Sequence, residues 1–93
     1  MFESVDALIL EHADLEKRLA DPDVHANAGR ARTLGRRYAQ LTPIIETYRR
    51  WRSLGDDLEA ARELGETDPR FRAEVPSLER RRDESIARRP RLS

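Results

Sequence analysis

The 93-residue chain has no cysteine, and only one each of lysine, methionine, tryptophan and glutamine. Without cysteine it forms neither a disulfide nor a thiolate metal site. Its start, Met1-Phe2-Glu3-Ser4-Val5-Asp6, lacks the basic stretch and apolar run of a secretory leader. No segment approaches the roughly 20 apolar residues that cross a bilayer, so no membrane partner is expected. The four glycines are never adjacent and make no phosphate-loop pattern. His12 and His25 are the only histidines, and their spacing is not that of metal ligands. Scattered serines and threonines have no base paired to them in any nucleophile pattern. The sequence therefore points to no catalytic residue, no metal site and no cofactor site, and a cytoplasmic address fits the missing cysteine.

What is abundant is charge. Charged residues make up 39% of the chain and apolar residues 38%, a balance that suits amphipathic helices with one apolar stripe each. A chain this short buries only about 60–65% of its unfolded surface, so one small domain with a thin core is expected. Net charge is zero, but it is distributed in blocks: −5 over residues 1–23, +6 over 24–52, −5 over 53–69 and +4 over 70–93. Alternating blocks favour antiparallel neighbours of opposite sign. Exposed pairs contribute only about 0–1 kcal/mol each, so this selects register more than it stabilises.

Phe2, Val5, Leu8, Ile9, Leu15 and Leu19 recur at helical spacing, predicting a helix over residues 3–20 that stops before Asp21-Pro22-Asp23. His12 lies near that stripe, where a packed ring is the expectation, and His25 falls in the turn. The series Leu34, Tyr38, Leu41, Ile45, Tyr48, Trp51, Leu54, Leu58, Ala61, Leu64 reads as one stripe on a long helix over residues 26–64. Pro43 interrupts it, and Thr42-Pro43 could equally cap a new helix. The persistence of the stripe favours one kinked helix. Gly65 reads as the glycine ending this helix, with Asp68 as N-cap and Pro69 as first residue of a third helix over 69–87. That helix has few apolar residues, contains Pro76, and is expected to fray from about Ile86. Residues 1–87 are thus read as the helical domain and residues 88–93 as a basic tail without fixed structure. The fold class is all-α: a three-helix antiparallel bundle, or helical hairpin, around one long central helix. The core is expected from Leu8, Leu15, Leu19, Leu34, Tyr38, Leu41, Ile45, Tyr48, Trp51, Leu58, Phe71, Val75 and Leu78.

Arg30, Arg32, Arg36 and Arg37 form a basic patch, with Arg49, Arg50 and Arg52 near Tyr48 and Trp51. The acidic first helix beside the patch would screen it, so direct nucleic-acid binding by the isolated domain is not expected. Tyr48 and Trp51 are in phase with the stripe and read as packing residues before stacking platforms.

Three ordered segments, Leu15-Glu16-Lys17-Arg18-Leu19-Ala20-Asp21-Pro22-Asp23-Val24, Arg36-Arg37-Tyr38-Ala39-Gln40-Leu41 and Gly55-Asp56-Asp57-Leu58-Glu59-Ala60-Ala61, resemble the N-terminal domain of bacterial class I peptide chain release factors, above all the type reading UAA and UAG. The resemblance covers residues 1–84 and departs from the family afterwards, as it does at Pro76. In that family a tripeptide reads the stop codon and a Gly-Gly-Gln motif triggers peptidyl-tRNA hydrolysis; neither falls on any residue of this chain. The resemblance implies an accessory helical domain of a translation termination factor, not itself catalytic, whose partner is the ribosome at the stalk base of the large subunit. The other readings are a self-associating coiled coil and a small RNA-binding helical protein.

Overall fold

The computed structural model describes the backbone of residues 2–88 and the side chains of residues 5–88. The expectations for the Phe2 side chain and for the tail beyond Arg88 lie outside the described residues. The described residues form α1 (Phe2–Leu19), α2 (Pro22–His25), α3 (Ala28–Leu64) and α4 (Pro69–Ala87), with no strand among them. The all-α class and the long central helix are as expected. The bounds agree with the sequence reading to within one or two residues, the usual spread at helix ends.

The sequence reading missed α2. Pro22, expected to stop the first helix, also starts the next. The Asp21 carboxylate accepts the Asp23 backbone N–H at 3.0 Å, Pro22 takes the first helical position, and Val24 is buried. Asp68 and Pro69 repeat this arrangement at α4, where Asp68 accepts the Arg70 N–H at 2.9 Å. The last turn of α1 leaves carbonyls without intrahelical donors. His25 supplies one, its Nε2–H donating to the Leu19 carbonyl at 2.7 Å. Asn27 then caps α3, its side-chain oxygen accepting the Arg30 N–H at 3.1 Å.

α3 comprises 37 residues, and helix continues through Pro43. An interior proline costs about 3 kcal/mol. Leu41 and Ile45, on either side of it, are 0% and 1% exposed and share a cluster with Leu15, and each buried side chain is worth about 1.5–3 kcal/mol. Packing therefore exceeds the penalty. Thr42 does not act as an N-cap; its hydroxyl donates to the Tyr38 carbonyl one turn back, at 2.9 Å.

The described chain divides after Ile45 into two compact units. In the first, Leu8, Ile9, Leu34 and Tyr38 pack around Leu15, Leu41 and Ile45. A connection of a few residues containing a helical turn cannot run back along α1, so α1 and the start of α3 are antiparallel. In the second unit, Leu54 and Val75 pack around Leu58, Ala61 and Leu78. There Gly65 meets Arg72 while Arg62 meets Glu79, so partners run in opposite directions along the two helices. The expectation of one persistent stripe on α3 needs correction. From Ile45 through Tyr48 and Trp51 to Leu54 the apolar residues advance only by threes, and each such step falls about 60° short of a full turn. The stripe thus drifts around the helix. Tyr48 and Trp51 are half-buried, their ring centroids 6.2 Å apart, and belong to neither buried cluster.

Phe71, expected in the core, is 36% exposed. It sits in the first turn of α4, opposite the point where α3 has ended at Leu64, and the backbone of Arg72 abuts Gly65. Gly65 follows the last helical residue as expected, and its N–H bonds the Ala61 carbonyl at 2.8 Å. A left-handed conformation is not the reason for it, since no described glycine has a positive φ. The reason is space: a Cβ there would lie 2.7 Å from the Ala61 oxygen and 3.0 Å from the Arg72 backbone. A Cβ on Gly55 meets nothing within 4 Å.

Thermal unfolding followed by circular dichroism checks both arguments. Gly55→Ala is expected to raise stability by up to about 1 kcal/mol, whereas Gly65→Ala lowers it by roughly 1–3 kcal/mol through forced backbone displacement. Pro43→Ala, which restores a helix hydrogen bond at an exposed position, is expected to stabilise by about 1–3 kcal/mol.

Candidate interaction surfaces

In the first unit the polar residues of α1 and α3 form one connected set. Arg37 grips Glu11 with two hydrogen bonds, Nε to Oε2 at 2.6 Å and Nη2 to Oε1 at 2.9 Å, the bidentate geometry that suits guanidinium and carboxylate. Those hydrogen bonds hold the Glu11 carboxyl below the usual carboxylate range, against an opposing desolvation and aided by the Arg37 charge. The same bonds move Arg37 further from deprotonation. Beside them His12 is buried and stacked on Tyr38, with centroids 4.3 Å apart and planes inclined by 14°. Its Nε2 lies 2.9 Å from the Thr42 hydroxyl oxygen. Thr42 uses its one hydrogen on the Tyr38 carbonyl, so Nε2 is the donor and the tautomer is set.

Both histidines are therefore engaged in hydrogen bonds that join elements of the fold. No group of three or more His, Asp or Glu side chains among the described residues is placed to hold a metal ion. Of the expected basic patch, Arg37 is tied to Glu11 while Arg30, Arg32 and Arg36 are exposed. No helix of the described residues is long and apolar enough to cross a membrane.

The second unit has two shallow grooves between α3 and α4. One, of about 380 Å3, is largely apolar and bordered by Ala61, Gly65, Val75 and Pro76, with Arg72 donating from Nε to the Gly65 carbonyl at 2.8 Å. The other, of about 310 Å3, is lined by Thr47, Arg50 and Leu54 from α3 and by Arg81, Glu84, Ser85 and Arg88 from α4. Ser85 is buried and spends its hydroxyl on the Arg82 carbonyl at 2.7 Å. The ion pairs of the unit lie elsewhere, Arg62 with Glu79 at 3.3 Å and Arg70 with Asp68 at 2.9 Å, while Arg82 is only 3.8 Å from Asp83. No ion pair among the described residues holds Arg50, Arg81 or Arg88. Sequence spacing groups Arg50 with Arg49 and Arg52 and does not join it to Arg81 or Arg88. The available signal was helical spacing: 47, 50 and 54 share one face, as do 81, 85 and 88.

The geometry defines an all-helical chain of two packed helix pairs. Residues 8–91 match the model of the PCRF domain, and the chain belongs to that family. It is 60% identical over 91 residues to peptide chain release factor 1 of Acidothermus cellulolyticus, covering 98% of this chain and 25% of the relative. Against the protein of the same name from Streptomyces coelicolor the identity is 57% over 84 residues, 90% of this chain and 24% of the relative. Against that of Clavibacter michiganensis it is 49% over 92 residues, 99% and 26% respectively. The chain thus spans about a quarter of the length of these curated relatives. The family match continues past Glu84, where the sequence resemblance was read as ending. No solved structure matches the chain.

Because folding lowers the Glu11 carboxyl from its ordinary value, the Arg37 pair contributes fully above the ordinary carboxylate range and is lost as pH falls through the lowered folded value. The difference in thermal midpoint between the parent and Glu11→Gln should be largest near neutral pH and shrink in acid. A difference independent of pH would remove this role from Glu11.

Proposed function

We propose that the chain is the accessory N-terminal domain of a cytoplasmic translation termination factor, not itself catalytic, that faces the stalk base of the large ribosomal subunit. The observation that carries this reading is the PCRF match over residues 8–91, together with curated relatives named peptide chain release factor 1. The side-chain chemistry agrees with an accessory role. His12 Nε2, His25 Nε2 and the Thr42 and Ser85 hydroxyls are engaged in hydrogen bonds within the fold, and the pair with the lowered carboxyl, Glu11 with Arg37, fastens α1 to α3.

The coiled-coil reading needs a long uncovered stripe on α3. Leu34, Tyr38, Leu41 and Ile45 are instead taken up in one cluster, and Leu54, Leu58 and Ala61 in the other. An ordered ribosome-facing module fits this better than self-association.

Sedimentation with purified large ribosomal subunits at physiological salt tests the proposal. The chain is expected in the pellet and is expected to be displaced by a full-length release factor. If it stays in the supernatant, and a factor lacking this domain terminates at an unchanged rate, the reading fails.

A further inference from the structure

The α3–α4 groove of the second unit is lined by three arginines and one glutamate. Arg50 comes from α3, Arg81 from α4 and Arg88 from the C-cap of α4, with Glu84 between the latter two in sequence. Some arginines of the fold are paired, Arg18 with Asp14, Arg37 with Glu11, Arg62 with Glu79, Arg70 with Asp68 and Arg82 with Asp83, while Arg30, Arg32 and Arg36 are exposed without such a partner among the described residues. None of the three groove arginines has such a partner among the described residues, although Glu46 is one turn from Arg50 and Glu84 shares the groove. Like charges gathered at about 310 Å3 of open space repel one another, and an anion seated among them relieves that repulsion.

We propose that this groove is the surface through which the chain holds RNA, by the phosphate backbone. The proposal rests on the termination-factor reading for its setting, in which the partner is a ribonucleoprotein. A phosphodiester presents two unesterified oxygens, so one phosphate can accept hydrogen bonds from guanidinium groups on both helices at once. The Thr47 hydroxyl adds a neutral polar group of the kind that commonly accompanies arginine at phosphate. No aromatic ring lines the groove, so it lacks a platform for stacked bases, and the contact is to backbone without sequence preference. The expectation against nucleic-acid binding by the isolated domain took Arg50 together with Arg30, Arg32, Arg36 and Arg37 and rested on screening by acidic α1. The proposal departs from it because the lining of this groove carries three cations and one anion.

The test is a titration of the 93-residue chain against a fluorescein-labelled RNA hairpin at several salt concentrations, with poly-L-glutamate as competitor and helicity monitored by circular dichroism. Saturable binding is expected, with log K falling against log salt with a slope of about −2, as for two to three neutralised phosphates. Arg50→Gln/Arg81→Gln should weaken binding about tenfold and flatten the slope by roughly one to two units while keeping parental helicity. The control Arg30→Gln/Arg32→Gln, in the other unit, should change binding by less than about twofold. Absence of saturable binding overturns the proposal, as does equal loss in the control. Preferential binding of poly-L-glutamate through the same arginines also overturns it, and makes the occupant an acidic polypeptide.

Sedimentation separates this proposal from the functional reading. If the parent and Arg50→Gln/Arg81→Gln pellet equally with large subunits, the groove assignment falls and the termination-factor reading stands. If the parent binds the hairpin through the groove but is not retained by subunits, the ribosomal setting falls and the phosphate site stands.

Discussion

The structure depends on α3 remaining helical through Pro43. Leu41 and Ile45 bracket that proline, are almost wholly buried, and close over Leu15 of α1. A break between them would take at least one out of the cluster, and either loss is comparable with the roughly 3 kcal/mol that the proline imposes. Continuity lets a single helix serve two packed pairs, each with only a few enclosed side chains. Intrinsic propensity could not do this for a segment carrying Gly29, Gly35, Gly55 and a proline.

Around those thin cores, polar groups determine how helices start, stop and meet. Asp21 and Asp68 begin helices whose first residue is proline, Asn27 begins α3, and His25 finishes α1. His12, Thr42 and Tyr38 form a part-buried hydrogen-bonded chain alongside the Glu11–Arg37 pair. Each group in such a chain must stand opposite its partner, which makes the pairing of α1 with α3 specific as well as favourable. The charge blocks contribute in a narrower way than their totals suggest. Glu11 with Arg37 joins an acidic block to a basic one, but the pair across α3 and α4, Arg62 with Glu79, uses the minority charge of each block.

That outcome bears on function. An arginine-rich end that is not consumed by internal pairing leaves cations available, and the helix spacing of α3 and α4 collects three of them in one groove. The chain, a member of the PCRF domain family, spans about a quarter of its relatives' length, and this groove is the surface proposed above for RNA.

The sequence by itself determined the three longer helices, though not the short α2. The apolar spacing, the Asp68-Pro69 start and the glycine after Leu64 are local signals, and local signals set helix type and ends. It also carried the family, because ordered segments are a property of the chain and not of its packing. Tertiary structure decided which of two local readings Thr42-Pro43 follows, since only the burial of Leu41 and Ile45 outweighs a cap. It decided that Phe71 stays half outside, because α3 ends opposite it, and that Gly65 is required for close backbone approach. It also decided the groove of Arg50, Arg81 and Arg88, which lie on two helices and become neighbours only through packing. Periodicity reports one helix face at a time; which faces meet depends on contacts between residues far apart in the chain.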